Sequence, residues 1–285
     1  MSMVSGRDEP RGHAIRLFTI WGVLSVLAVV LVIWVLGPQL PPGSMTVQAH
    51  GQTGANIVLT AVCVPIALLV VVFFGYSLVA FRSRGLAGDG PPIHTNGRVM
   101  MIWLASTVVI VLGLAIWGSW ELLPEQTGAG GGAGPAPIYK PAGARAALPI
   151  QVIGEQWLWT FRYPTYGGVE SQQLAIPAHR LVAFHVTSLD VTHSFWAYKL
   201  GVKADAVPNV DNIAYVDAND TGTFTIRCAE LCGLWHGHMY TTGLVLGPSQ
   251  FAAWITKTRK QYAFSTHLLP PFSTHYFPQP QRRAG

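Results

Sequence analysis

Apolar residues run without a charge from Leu17 to Leu36, from Ile57 to Phe81 and from Val99 to Trp120. Each run reaches the roughly 20 residues that a helix needs to cross the hydrocarbon of a bilayer. Tryptophans sit at or near the ends of the first and third (Trp21, Trp34, Trp103, Trp117, Trp120), where an aromatic belt meets the lipid headgroups. The pattern predicts three membrane helices over 17–36, 57–81 and 99–120, within an anchor covering residues 1–124. A cleaved signal peptide competes for the first run. That run is long for the role and no small-x-small cleavage site follows it, so a retained helix is expected.

After the third run, Glu125 to Pro149 is rich in Gly, Ala and Pro and has no periodicity, which reads as a flexible linker. From residue 150 the pattern becomes short and alternating. Ile150–Tyr163, Leu181–Asp190, Asn212–Ala218, Thr221–Cys228 and Thr241–Gly247 each alternate with period two and are punctuated by Gly, Pro and Asp, the signature of strands joined by short turns. Residues 150–262 are expected to form a small antiparallel sandwich, closed by one helix with Ser249 as its N-cap. The tail, 263–285, takes no assignment. The fold class is therefore N-terminal transmembrane α-helices followed by an all-β antiparallel sandwich.

Charge sets the orientation. Arg7, Arg11 and Arg16 precede the first run, and Arg82, Arg84 and Arg98 lie between the second and third, whereas residues 37–56 hold no Lys or Arg. Short cytoplasmic loops retain basic residues, so the N-terminus is expected inside and everything after Trp120 outside. The net charge of +5 is partly this topological signal, and no basic patch suggests nucleic acid as a partner.

The chemistry concentrates in "CAELCGLWHGHM", Cys228–Met239. A disulfide between Cys228 and Cys232 is the ordinary expectation in an exported domain, yet it would close a loop of a few residues, where the entropic gain is least. Two thiolates and two imidazoles also suit zinc, although the thioether of Met239 is a soft ligand. A strand ending in Cys, a short loop, His, Met and a distant upstream His is the ligand order of copper electron-transfer sites, and a second Cys four residues on can bridge a pair of ions. Of the upstream histidines, His179 belongs to a loop and His185 to mid-strand. His193, at a strand end beside aromatic residues, is the expected ligand. His238 should point away from the metal, and Cys63 inside the second run reads as packing.

Together with this loop, "DVTHSFWAYKLGVKADAVP" (Asp190–Pro208) and "GEQWLWTFRYP" (Gly154–Pro164) resemble segments of cytochrome c oxidase subunit II, the loop matching its C-x-E-x-C-G-x-x-H-x-x-M motif. The resemblance covers the chain from the second span to the closing helix. It implies a cupredoxin-like domain with the dinuclear copper centre CuA: Cys228 and Cys232 bridging two coppers, His193 and His236 giving one nitrogen to each, Met239 a weak ligand to one and the Glu230 carbonyl to the other. It further implies that the Glu230 side chain reaches a magnesium or manganese ion at the junction with the catalytic subunit I. Trp157 would receive the electron from cytochrome c, with Asp190 and Asp205 among the acidic residues steering it.

Partners so implied are the haem–copper catalytic subunit I, subunit III, cytochrome c and the lipid bilayer, in the plasma membrane of a bacterium with the copper domain on the periplasmic face. Enzymatically the chain would be one subunit of a proton-translocating oxidoreductase, transferring electrons itself. No C-x-x-C-H haem motif is present, and Met100 stands where the family carries a glutamate tied to proton uptake. A CuA subunit of a nitric oxide or nitrous oxide reductase and a membrane-anchored copper-delivery protein are the alternatives. The cysteines argue against the quinol-oxidase relatives, which lack them.

Overall fold

A computed structural model describes residues 10–40, 43, 45–82, 95–122 and 143–261; the linker up to residue 142 and the tail 263–285 lie outside them. The chain divides into two units, Met1–Leu40 with Gly54–Leu123, and Pro41–Thr53 with Pro124–Gly285.

The first unit is helical. Helix α1 (Pro10–Leu31) runs on through a π-helical turn at Val32–Leu36 and a 3-10 turn at Gly37–Gln39; α2 covers Val47–Ala80 and α3 Gly97–Leu122. All three are long and apolar enough to cross a membrane. They extend beyond the apolar runs because a helix satisfies its own backbone through the polar flanks as well. The largest extension is at the start of α2, ten residues before Ile57. Trp21 of α1 donates its indole N–H to the carbonyl of Pro65 in α2, at 2.8 Å.

The second unit is a sandwich of two five-stranded sheets. Its strands are β1 (Leu148–Glu155), β2 (Leu158–Tyr163), β3 (Val169–Ser171), β4 (Leu174–Pro177), β5 (Leu181–Ser188), β6 (His193–Ala197), β7 (Val202–Ala206), β8 (Asn212–Asp217), β9 (Gly222–Cys228) and β10 (Tyr240–Leu246). One sheet has the order β3-β2-β1-β5-β8, the other β4-β10-β9-β6-β7. The sandwich is as expected and its pairings are antiparallel except for two, β1 with β5 and β4 with β10, which are parallel. Both parallel pairs join strands whose connection passes through the opposite sheet, and such a crossover is what parallel pairing requires.

Ile150–Tyr163, expected as one strand, is a hairpin turning at Gln156–Trp157, with Glu155 opposite Leu158. The closing helix, α4 (Pro248–Gln261), also starts differently. Gly247 is its cap, Pro248 its first residue, and Gln250 rather than Ser249 reaches back to accept the Gly247 N–H at 3.3 Å, the reciprocal half of a capping box.

Phe195 organises the core next to the loop. Its ring lies 5.8 Å from Trp159, 6.4 Å from Phe161 and 5.3 Å from Phe184, edge-on or tilted as aromatic quadrupoles prefer.

The connection between α1 and α2 belongs to the sandwich. Met45 N–H donates to the Lys199 carbonyl (3.1 Å), Gln52 to the Gly201 carbonyl (2.9 Å), and Asn219 N–H to the Met45 carbonyl (3.0 Å). Gly201, at φ +68°, is needed here, since a Cβ would stand 2.8 Å from the Ala49 nitrogen. The α1–α2 connection, Pro41–Thr53, is therefore part of the second unit. Thr46, fully buried, caps α2 by accepting the Ala49 N–H at 3.0 Å and donates to the Leu200 carbonyl at 2.9 Å. Thr46→Val keeps the shape and removes both bonds. It should cost about 1–3 kcal/mol, read as a lower midpoint in thermal unfolding of the full chain in detergent; an unchanged midpoint would refute the role given to this contact.

Candidate metal centre

Strand β9 ends at Cys228 and β10 begins after Met239, so residues 229–239 form one loop over the end of the second sheet. Backbone bonds pin its base: Cys228 N–H donates to the Met239 carbonyl (3.0 Å) and Ala229 N–H to the Ser194 carbonyl (2.9 Å). In β6, Phe195 pairs with Cys228, which brings His193, the first residue of that strand, beside the cysteine. Gly233 at φ +113° lets the loop approach the β1–β2 turn, where a Cβ would meet Gln156 Nε2 at 2.9 Å and the Trp157 indole at 3.3 Å.

Six of the seven expected residues converge through their donor atoms. The two Sγ atoms lie 3.8 Å apart and both cysteines are free. Cys228 Sγ has His193 Nδ1 at 3.8 Å and the Glu230 carbonyl at 3.2 Å; Cys232 Sγ has His236 Nδ1 at 3.5 Å and Met239 Sδ at 3.8 Å. The donors thus fall into two sets, one nitrogen and one weak ligand on each sulfur. Cys228, Cys232, Met239 and His193 are buried, His236 is half-buried and the Glu230 side chain is exposed. Trp157, the seventh, is half-buried and donates its indole N–H to the Cys232 carbonyl at 3.1 Å.

The spacing can be tested against a shared ion. With metal–sulfur and metal–nitrogen bonds of about 2.3 and 2.0 Å at tetrahedral angles, two sulfurs would lie about 3.8 Å apart and a sulfur and a nitrogen about 3.5 Å. The residues present fit. A disulfide, by contrast, requires about 2.05 Å between sulfurs.

The electrostatics prepare one thiolate first. Burial opposes ionisation of Cys228, but hydrogen bonds from the His193 imidazole and the Ser194 backbone outweigh it and bring its pKa down to about 6. Burial and the neighbouring Cys228 charge push Cys232 up to about 12.

Asp190 has a different place from the steering role expected of it. Its carboxylate accepts the Gln156 N–H (2.7 Å) and the Val191 N–H (2.6 Å), and lies 2.8 Å from His193 Nε2. Burial alone would raise its pKa, and these bonds lower it instead. The His193 pKa is raised; burial works against this, and Cys228 and Asp190 overcome it. Asp205 accepts from Ser194 Oγ at 2.7 Å and has Lys203 at 3.6 Å.

Sequence reasoning passed over Gln156, whose side-chain amide donates to the Cys232 carbonyl at 2.7 Å; its position just before Trp157 was the available signal. His238 is exposed, its ring against Trp235. His179 sits exposed in a turn, and His185 lies 2.9 Å from Asp211.

Residues 170–243 match the family model for the periplasmic domain of cytochrome c oxidase subunit II. The cytochrome c oxidase subunit 2 of Alkalihalophilus pseudofirmus is 29% identical over 202 residues, which cover 70% of this chain and little more than half, 56%, of that relative. The haem–copper oxidase subunit 2 of Aeropyrum pernix is 31% identical over 206 residues, covering 68% of this chain and 84% of its own. Among solved structures, the periplasmic domain of cytochrome oxidase subunit II of Bradyrhizobium japonicum is similar at 31% identity with a TM-score of 0.39, covering 40% of this chain and 95% of that domain. With the Aeropyrum pernix relative 31% identical and matched over 84% of its length, the chain belongs to the subunit II family of haem–copper cytochrome c oxidases.

Proposed function

We propose that this chain is the electron-accepting subunit of a respiratory cytochrome c oxidase. It holds the dinuclear copper centre CuA, takes electrons from cytochrome c and passes them to haem and copper in catalytic subunit I, where oxygen is reduced, with subunit III in the same complex. The observation that carries this reading is the pair of free sulfurs 3.8 Å apart with one imidazole nitrogen beside each. Soft sulfur and imidazole donors suit copper, and family membership implies that metal.

Bound copper would supply a one-electron couple spread over two metals and two sulfurs, so that little rearranges on transfer. The protein's part is to hold that geometry still. Cys228, Cys232, Met239 and His193 exclude water by their burial. His193 is oriented from behind by Asp190, and such supporting bonds fix a ligand's tautomer and raise its basicity. Trp157 is proposed as the group that receives the electron from cytochrome c, supported by its contact with the Cys232 carbonyl. The exposed Glu230 side chain is the proposed protein ligand of a magnesium or manganese ion at the junction with subunit I; such hard cations need further oxygens, which that subunit would add. The proposed location is the bacterial plasma membrane with the copper domain on the periplasmic face. The basic inner loops and the apolar helices support it.

The full chain, purified with its co-isolating membrane partner, should bind two coppers and give the multi-line electron spin resonance spectrum of a mixed-valence pair. A four-line mononuclear spectrum, or a zinc-selective site, would reject the proposal.

A further inference from the structure

We propose that the C-terminal segment, residues 262–285, docks across the outer face of the first sheet and closes over Arg162. Cross-strand register sets Glu170 of β3, Arg162 of β2, Gln151 of β1 and His185 of β5 in one row. These positions alternate along their strands with core residues such as Ile150 and Phe161, so the row faces away from the second sheet. That face of a two-sheet sandwich ordinarily carries polar residues and meets water. Here it is sealed. Arg162 and Gln151 are 0% exposed and Ile153 1%, and Ala183, Thr187 and Tyr215 on the neighbouring rows are buried too.

Arg162 marks the site. Glu170 lies 3.6 Å from its Nη1, while Nε, Nη1 and Nη2 make no hydrogen bond. A guanidinium offers five N–H donors, and leaving them unmet away from water is costly. Glu170 balances the charge, so neutral oxygen acceptors suffice for the rest. Outside the two sheets, the described elements in main contact with these strands are the short turns Ala144–Ala146, at β5, and Pro164–Tyr166, at β1, and helix α4, at β3. Helix α4 turns Phe251 and Ile255 into the core between the sheets, so none of the three spans the outer face.

The second unit's other residues after α3 are 124–142 and 262–285. The first stretch has only Ile138 and Tyr139 as large apolar residues, too few to seal a sheet. The second is placed and composed for it. Arg259 Nη2 donates to the Tyr166 carbonyl at 2.8 Å, and Tyr166 lies in the β2–β3 connection, so α4 delivers the chain to the edge of this sheet. Beyond it Phe264, Leu268, Phe272 and Tyr276 stand four residues apart, on one side of an extended chain. Phe-Ser-Thr-His occurs twice, at 264–267 and 272–275. One such repeat of about eight residues reaches about 26 Å when extended, and five strands are about 19 Å across. Pro270, Pro271, Pro278 and Pro280 oppose a helix and bring no N–H, which leaves carbonyls there free to accept. The segment holds no Asp or Glu, so these carbonyls are the acceptors it brings to Arg162.

The test is oxidative footprinting of the full chain in detergent, beside a chain that stops after Gln261. Tyr215 should be protected in the full chain. In the shortened chain its labelling should rise severalfold while Tyr163, in the core, stays protected, and a synthetic peptide of residues 262–285 should restore the protection. The same peptide with Phe264→Ser, Leu268→Ser, Phe272→Ser and Tyr276→Ser should not. Arg162→Met in the shortened chain should make the parent peptide several times less potent; equal potency would refute the part given to Arg162. Tyr215 still protected in the shortened chain, as it would be beneath residues 124–142, or a peptide that restores nothing, would overturn the proposal. Should Tyr163 become labelled as well, the full chain carrying Phe264→Ser and Phe272→Ser decides. Tyr215 labelled over a protected core then supports the docking, and Tyr215 protected rejects it.

Discussion

Replacing either cysteine of the loop with serine should abolish the paired centre, and the two variants should fail differently. Each Sγ has its own nitrogen and its own weak ligand beside it, and in the proposed centre each sulfur would also serve both ions. Serine is nearly the same size, but its hydroxyl is a hard donor that stays protonated. Cys228→Ser leaves Cys232, His236 and Met239 together, a thiolate, an imidazole and a thioether, which resembles part of a mononuclear copper site. Cys232→Ser leaves Cys228 with His193 and the Glu230 carbonyl, a poorer set. Both variants should hold at most one copper per chain, lose the multi-line spectrum and accept electrons from cytochrome c on the order of a hundredfold more slowly or worse, given that even supporting residues are worth 10–100-fold. Cys228→Ser should show a four-line spectrum and Cys232→Ser little bound copper. Two coppers retained in either variant would refute the bridging geometry.

The same contacts give the loading step a pH dependence. A thiol must lose its proton to bind metal. Cys228, with its pKa brought down to about 6, ionises first, and Cys232, pushed up to about 12, gives up its proton only to the arriving metal, so copper uptake by the reduced protein should release protons and weaken steadily as pH falls.

Several features were legible in the sequence because they depend on local period or local spacing. The three apolar runs could be read because a bilayer demands an uninterrupted span. Four of the five alternating runs coincide closely with β5, β8, β9 and β10. The fifth, Ile150–Tyr163, contained its own correction. The buried core positions are even-numbered in β1 (Ile150, Val152) and odd-numbered in β2 (Trp159, Phe161, Tyr163), and that change of phase marks a break in the strand, which the pairing of Glu155 with Leu158 makes a turn. Strands β3, β4, β6 and β7 were passed over; they are at most five residues long, and β4 is buried on both faces, so it has no polar alternation to read. Parallel pairing was not legible because it joins segments far apart in the chain. The loop ligands came from spacing and family resemblance. Nothing in the spacing said that a carboxylate three residues before His193 would turn back onto that histidine's far nitrogen.

That carboxylate is therefore where two readings of one residue part. If Asp190 steers a basic cytochrome, Asp190→Asn should raise KM, flatten the salt dependence and leave the copper spectrum alone. If it positions His193, as the 2.8 Å contact with Nε2 implies, the effect should appear in the metal. Asp190→Ala removes the acceptor for His193 and for the Gln156 and Val191 N–H groups at once. The ring is then free to rotate and its Nδ1 lone pair is no longer held toward the sulfurs, so copper affinity in a competition titration should fall about 10–100-fold. The hyperfine pattern should become asymmetric, because in the proposed centre His193 would bind only one of the two ions. Asparagine can still accept from Nε2–H but brings no charge, so Asp190→Asn should fall between alanine and the parent. An Asp190→Ala protein with parental copper affinity and spectrum, altered only in its salt response, would return this residue to the docking surface.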